Sequence, residues 1–134
     1  MTVTGNFDGE RSPLSWRSYG MFGFLSGTRN LSQSPVIAPA RGLPADWPPE
    51  PPEGLLHNGA WDAWYSAGND LGHCASWLTL DELLAYDYDQ SFVDRRGGAD
   101  VTVVLRDFLG RGFFNDLEQM RQMGIERIVF GYSF

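Results

Sequence analysis

The sequence predicts an α+β fold in which a small antiparallel sheet is covered on one face by about three helices, with a long proline-rich loop wrapped across them. The 134 residues match the usual size of one domain, so we take residues 1–134 as a single domain. Hydrophobic residues make up 43% of the chain and aromatic residues 14%, which is enough for a packed core without a disulfide or a metal. Helical periodicity and β-branched runs occur in separate segments, as an α+β fold requires.

The N-terminal half predicts one strand and one short helix before the loop. Residues 1–7 alternate weakly between polar and apolar, which favours an edge strand. Residues 18–27 predict a short buried helix that a glycine ends. Within it, Gly20 and Gly23 indicate close packing against a neighbour, because a helical glycine costs about 1 kcal/mol relative to alanine. Residues 30–59 contain all but one of the eight prolines and predict an extended loop.

The C-terminal half contains the clearest local signal of the sequence. Thr79 and Glu82 match a capping box at the start of a helix, in which the side chain of each residue accepts a hydrogen bond from the backbone N–H of the other. That helix should end near Tyr86. Downstream patterns predict a strand, an amphipathic helix capped by a glycine, and a strand, at residues 101–105, 113–124 and 126–134. We expect the last strand to pair with residues 101–105 and with the N-terminal strand.

Composition restricts the classes of function. A formal net charge of -7 disfavours binding to long nucleic acid. All ten basic residues are arginine, and the absence of lysine excludes a Walker-type phosphate loop and a lysine-bound cofactor, so we predict no cofactor. The single cysteine, Cys74, cannot form an internal disulfide, and the N-terminus has no secretory pattern, so we predict a cytoplasmic protein. We also predict no membrane partner, because no apolar run is long enough to span a bilayer.

Four segments of the chain carry a resemblance to a known family: SYGMFGFLSGTRN, PVIAPARGLP, GHCASWLTLDELLAYDYDQ and the final IVFGYSF. Over about residues 15–134 the sequence resembles a family of uncharacterised small phage and prophage proteins, whose pattern is FGFLxGxRN, RGLP and HxxSWLTLxEL in this order and spacing. Cys74 stands where the family usually has serine, and the N-terminal strand is shorter. The resemblance implies a phage origin and a function in the cytoplasm of an infected bacterium. It implies no reaction.

Arginine and aromatic residues within the matching segments predict a ligand site. The planar fork of arginine suits phosphate or carboxylate, and Arg29 and Arg41 both lie in those segments. Nearby aromatic rings could stack on a base, so the combination favours a compact nucleotide-like anion. The candidate rings are those of Trp47, Trp61, Trp64, Tyr65 and Trp77. The predicted ligand-binding residues are Arg29, Asn30, Arg41, His73, Ser76 and Trp77.

Structural roles explain the same residues as readily. Arg29 could bind the last carbonyls of the preceding helix, and Arg41 could pair with Asp46 and brace the proline-rich loop. His73, His57 and Asp70 are too few ligands for a structural zinc site, and we predict no metal, although a catalytic three-ligand site built from them is geometrically compatible with the sequence. The acidic residues around the capped helix lack the glycine turn and closing glutamate of a calcium loop.

Three functions remain compatible with the sequence. The first is a phage accessory protein that binds and sequesters a small anionic, nucleotide-like signal and thereby counters host defence. The second is an acidic inhibitor that docks on a host protein and mimics the charge of nucleic acid. The third is a small hydrolase that uses His73 and Asp70. We lean towards a protein without catalytic residues, and the sequence leaves its oligomeric state open, a homo-oligomer included.

Overall fold

The computed structural model describes residues 2–5, 14, 19–46 and 73–132. These residues form an α+β structure, which confirms the predicted class. The strands are β1 (Thr2–Gly5), β2 (His73–Thr79), β3 (Ser91–Asp94), β4 (Val101–Val104) and β5 (Arg127–Tyr132). The helices are α1 (Tyr19–Ser26), α2 (Leu80–Ala85), α3 (Leu105–Leu109) and α4 (Arg111–Gln122). The proline-rich loop beyond residue 46 lies outside the described residues.

The strands form two separate sheets. In the first, β5 lies between β1 and β2, parallel to β1 and antiparallel to β2. The N-terminal segment is therefore an edge strand, as predicted. In the second, β3 and β4 form an antiparallel hairpin. The expected pairing of residues 101–105 with the C-terminal strand is wrong, because the short turn after Asp94 lets β4 pair locally at a low loop-closure cost.

The central strand is buried on both faces. Ile128, Val129 and Phe130 are successive residues of β5, and each is at most 2% exposed. Since successive side chains of a strand point to opposite faces, helices on one face alone would not bury all three. Ile128 and Phe130 belong to the hydrophobic core, in which the ring centroids of Phe24 in α1 and Phe113 in α4 lie 5.8 Å apart in an edge-to-face contact. Burial on both faces thus replaces the expected single covered face.

Helix α1 packs closely on the loop that follows it. A Cβ atom at Gly23 would lie 2.8 Å from Oδ1 of Asn30, nearer than side chains tolerate. The Asn30 side chain is itself fixed, because Oδ1 accepts hydrogen bonds from the Ser34 N–H and hydroxyl at 2.9 and 3.1 Å, and Nδ2 donates to the Ser34 carbonyl at 2.9 Å. The close packing predicted from this glycine is confirmed.

The predicted start of α2 is confirmed. The Glu82 N–H donates to Oγ1 of Thr79 at 3.1 Å, and the Thr79 N–H donates to Oε1 of Glu82 at 3.1 Å. Tyr86 follows as the C-terminal cap. The amphipathic helix α4 ends before Gly124, whose φ of 71° is the left-handed conformation that glycine adopts easily. In the part of the chain that the structure describes, no helix has the length and apolar composition needed to cross a bilayer.

The capping box predicts a measurable contribution to stability. Replacing Thr79 by alanine should lower the free energy of unfolding by about 1 kcal/mol, because it removes the acceptor of the Glu82 N–H. Thr79→Ser keeps the hydroxyl and should retain most of this contribution. Chemical denaturation of the three proteins measures the difference, and equal midpoints for the alanine and serine variants would contradict the cap.

The contact at Gly23 gives a second prediction with a control in the same protein. Gly23→Ala should lower the free energy of unfolding by about 1–3 kcal/mol, since the added methyl group displaces the fixed Asn30 side chain. Gly112 is also helical, but a Cβ there meets no atom within 4 Å. Gly112→Ala should therefore raise stability by up to about 1 kcal/mol. A change of the same sign in both variants would show that the close approach does not govern stability.

Candidate functional site

Arg41, Ser76 and Trp77 of the predicted ligand site lie together. The Arg41 N–H donates to Oγ of Ser76 at 3.0 Å, and Nη1 of Arg41 donates to the Trp77 carbonyl at 3.3 Å. The guanidinium carbon also lies 4.6 Å from the centroid of the Trp77 ring, a cation–π contact. These contacts fasten the loop that contains Arg41 to the outer edge of β2.

The guanidinium of Arg41 is occupied by a carboxylate of the protein itself. Nη1 and Nη2 donate to Oε1 and Oε2 of Glu82 at 2.9 and 2.6 Å, the two-pronged geometry in which arginine binds carboxylates best. Glu82 also accepts the hydrogen bonds of Thr79, so its position is fixed from both sides. An anion that bound Arg41 in the same two-pronged way would have to displace Glu82. The contacts therefore support the structural alternative, in which Arg41 braces the loop.

The structural partner expected for Arg41 is wrong. Asp46 pairs with Arg127 of β5 instead, at 2.8 Å between Oδ1 and Nη1, and this hydrogen bond lowers the pKa of Asp46. Arg41 and Asp46 thus bind different elements, and together they hold both ends of the segment 41–46 against the sheet. Such pairing between residues far apart in sequence depends on the sheet register, which the sequence alone does not reveal.

The remaining predicted residues are placed differently. Asn30 packs against Gly23 and Ser34, and the neighbouring Arg29 has a left-handed backbone with φ of 48°. The backbone of His73 begins β2 opposite Tyr132. Several residues of the metal, hydrolase and stacking hypotheses lie outside the described residues: His57, Asp70, Trp47, Trp61, Trp64 and Tyr65. Among the described residues, no group of three or more histidine, cysteine, aspartate or glutamate residues could hold a metal ion.

A cleft that no sequence pattern predicted opens at the surface beside α2 and α4. Its volume is about 270 Å³, and both aromatic and charged side chains line it. The lining residues are Leu84, Tyr86, Tyr88, Arg106, Phe114, Leu117 and Glu118. We call this the aromatic cleft. Its residues come from three separate stretches of the chain, so only tertiary packing brings them together. The segment AYDYD beside a helix end is the one aromatic signal of the cleft that the sequence shows.

The floor of the aromatic cleft is closely packed. Tyr88 is 4% exposed, and its hydroxyl donates to the Leu83 carbonyl. Burial raises the pKa of Tyr88 above its usual value, so this phenol stays neutral. Its ring meets Phe114 edge to face, with the centroids 4.9 Å apart, and meets Tyr86 at 5.6 Å. These contacts orient the rings of Tyr86, Tyr88 and Phe114 relative to one another.

Arg106 supplies the positive charge of the aromatic cleft. Its guanidinium carbon lies 4.8 Å from the centroid of the Phe114 ring, and its Nε donates to Oδ1 of Asp89 at 2.9 Å. The side chains of Arg106 and Asp89 are 49% and 77% exposed, and an ion pair this exposed contributes about 0–1 kcal/mol. Within the described part of the chain, Nε is the one guanidinium nitrogen of Arg106 engaged in a hydrogen bond. Its other donors can therefore serve an anionic ligand.

The role of Glu82 in fixing Arg41 predicts a pH dependence of stability. Hydrogen bonds from Arg41, and then those from Thr79, lower the pKa of Glu82 from 4.5 to about 2. A carboxyl group whose pKa is lowered by folding stabilises the protein fully above its unfolded pKa and loses this effect as the pH falls towards the folded value. The stability of the wild type should therefore fall more steeply between pH 4.5 and 2 than that of Glu82→Gln.

Urea denaturation at several pH values measures this difference. Glu126→Gln removes a carboxylate from an exposed residue outside the Arg41 contacts, and it should keep the steeper dependence of the wild type. Equal slopes for the wild type and Glu82→Gln would mean that Glu82 does not stabilise the fold through its charge.

Comparisons with protein families, with curated proteins and with solved structures find no match. The resemblance to small phage and prophage proteins accordingly stays a prediction from sequence. What the protein can bind is inferred from the geometry of its own side chains.

Proposed function

We propose that this protein binds a small anionic, nucleotide-like molecule in the aromatic cleft and does not act on it as an enzyme. One observation carries the proposal: the half-exposed guanidinium of Arg106 lies over the Phe114 ring, and both residues line a cleft that also contains two tyrosines. Arginine beside aromatic side chains is the combination that recognises a phosphate attached to a planar base. In the cell, we propose that the protein acts in a phage-infected bacterium and sequesters a nucleotide signal of host defence, a setting that rests on the family resemblance.

The dimensions of the cleft favour a compact ligand. Its volume of about 270 Å³ lies just below the range of roughly 300–1,000 Å³ that is usual for small-molecule sites. Leu84 at the mouth is 43% exposed and, with the Tyr86 ring, offers an apolar surface on which a base can rest. A small planar molecule would cover this surface, whereas a long polymer would extend over a protein of net charge -7 that repels it.

The charge distribution supports a small ligand over the nucleic-acid mimic. Five carboxylates of the described residues are already in ion pairs with arginines: Asp46, Glu82, Asp89, Asp100 and Glu118. A mimic of nucleic acid needs a continuous row of unpaired negative charges, because the charge of the phosphate backbone is what its partner recognises. Interspersed arginines weaken such a row.

Calorimetric titration tests the proposal with two probes, AMP and inorganic phosphate. AMP should bind more tightly than phosphate because only AMP has a ring to stack in the aromatic cleft. Arg106→Gln should weaken AMP binding by about 1.5 kcal/mol, the lower end for a charge-assisted hydrogen bond, because Arg106 is half exposed. Arg95→Gln makes the same change of charge at a residue that does not line the cleft, and it should leave affinity nearly unchanged.

Equal losses in the two variants would indicate a general electrostatic effect and contradict a site at Arg106. Failure of AMP to bind the wild type at millimolar concentration would contradict the proposed ligand class. In bacteria with a nucleotide-signalled defence, expression of the wild type should raise phage plaque counts, and Arg106→Gln should do so less at equal protein levels.

A further inference from the structure

The wall of the aromatic cleft holds a carboxylate besides the positively charged Arg106. Glu118 lies one helical turn after Phe114 on α4, so both side chains face the same space. A carboxylate there would repel the phosphate of a ligand, and its presence in an anion site calls for a separate role. The inference drawn from it depends on the proposed function of the cleft.

The hydrogen bonds of Glu118 leave room for one more donor. Oε2 accepts from Nε of Arg121 at 2.9 Å, and Oε1 accepts from Nη2 of Arg121 at 2.6 Å and from Nε2 of Gln122 at 3.2 Å. A carboxylate has about four lone-pair positions, and these three bonds occupy all but one of them. The fourth position is on Oε2, and Glu118 is one of the residues that line the cleft.

The same three donors fix both the charge and the position of Glu118. Hydrogen bonds from Arg121 and Gln122 lower its pKa to about 2, so it is an ionised acceptor at any pH near neutrality. An ionised carboxylate accepts hydrogen bonds and donates none. The two-pronged pairing with Arg121 also holds the carboxylate on the helix surface. The positive charge of Arg121 partly offsets the negative charge of Glu118, which would otherwise repel the phosphate.

We propose that Glu118 selects ligands whose ring carries an amino group, by accepting a hydrogen bond from that group while Arg106 binds the anionic part. The same pairing of a carboxylate with an exocyclic amine is how proteins read the amino group of cytosine. A ring that presents only acceptor nitrogens at this edge would face the Glu118 lone pairs and be disfavoured. The ligand class is therefore an amino-bearing nucleotide, such as an adenine nucleotide.

Two probes that differ by one group test the selection. AMP and purine riboside 5′-monophosphate share the phosphate, the sugar and the ring system, and only AMP has the 6-amino group. The wild type should bind AMP about fivefold more tightly, since the hydrogen bond to the half-exposed Glu118 is worth less than a buried one. In Glu118→Ala this ratio should fall to about one.

The ratio is a sharper measure than either affinity alone. Glu118→Ala also frees Arg121, which would strengthen phosphate binding, but both probes carry the phosphate and the effect cancels in the ratio. Glu126→Ala, which alters an exposed carboxylate outside the cleft, should keep the wild-type ratio.

The outcomes separate the two proposals. If both probes bind the wild type with equal affinity, or if the preference for AMP persists in Glu118→Ala, selection by Glu118 is wrong while the ligand site at Arg106 stands. If neither probe binds the wild type, the proposed function fails and the selection fails with it.

Discussion

The ionised Glu82 carboxylate connects a helix start, a loop and a sheet of the described fold. It completes the capping box that starts α2, and it binds both prongs of the Arg41 guanidinium. Through Arg41 it also holds the loop against β2, where the guanidinium covers the Trp77 ring and a backbone carbonyl on the outer edge of the sheet. An uncovered edge strand is a template for unwanted pairing, so one charge links helix initiation to edge protection.

Features that depend on neighbours in sequence could be predicted from the sequence. The capping box of Thr79 and Glu82 needs only residues three apart, and Gly124 ends α4 because a left-handed residue is needed there. The close packing at Gly23 was visible because glycine inside a helix is unfavourable without a reason. In each case the geometry of neighbouring residues restricts which residue type can occupy the position, so the residue type predicts the local structure.

Features that depend on the register of distant segments could not be predicted in this way. Asp46 was a plausible partner for Arg41 five residues away, yet the sheet places it beside Arg127. The short helix α3 has no side-chain cap at Val104 and so gave no start signal. The aromatic cleft depends on tertiary packing, since residues that line it, such as Tyr86 and Arg106, lie on different elements and have no shared sequence pattern.

Two arginines show how burial assigns different roles to the same chemistry. Arg41 and Arg106 each lie over an aromatic ring and each bind a carboxylate. The Arg41 side chain is 28% exposed, and its partner is held by a capping box, so exchange for a solvent anion would also disrupt a helix start. The partner of Arg106 is 77% exposed and bound through one nitrogen, so an incoming phosphate would displace little. The first arginine is therefore suited to hold the fold together, and the second to bind a ligand.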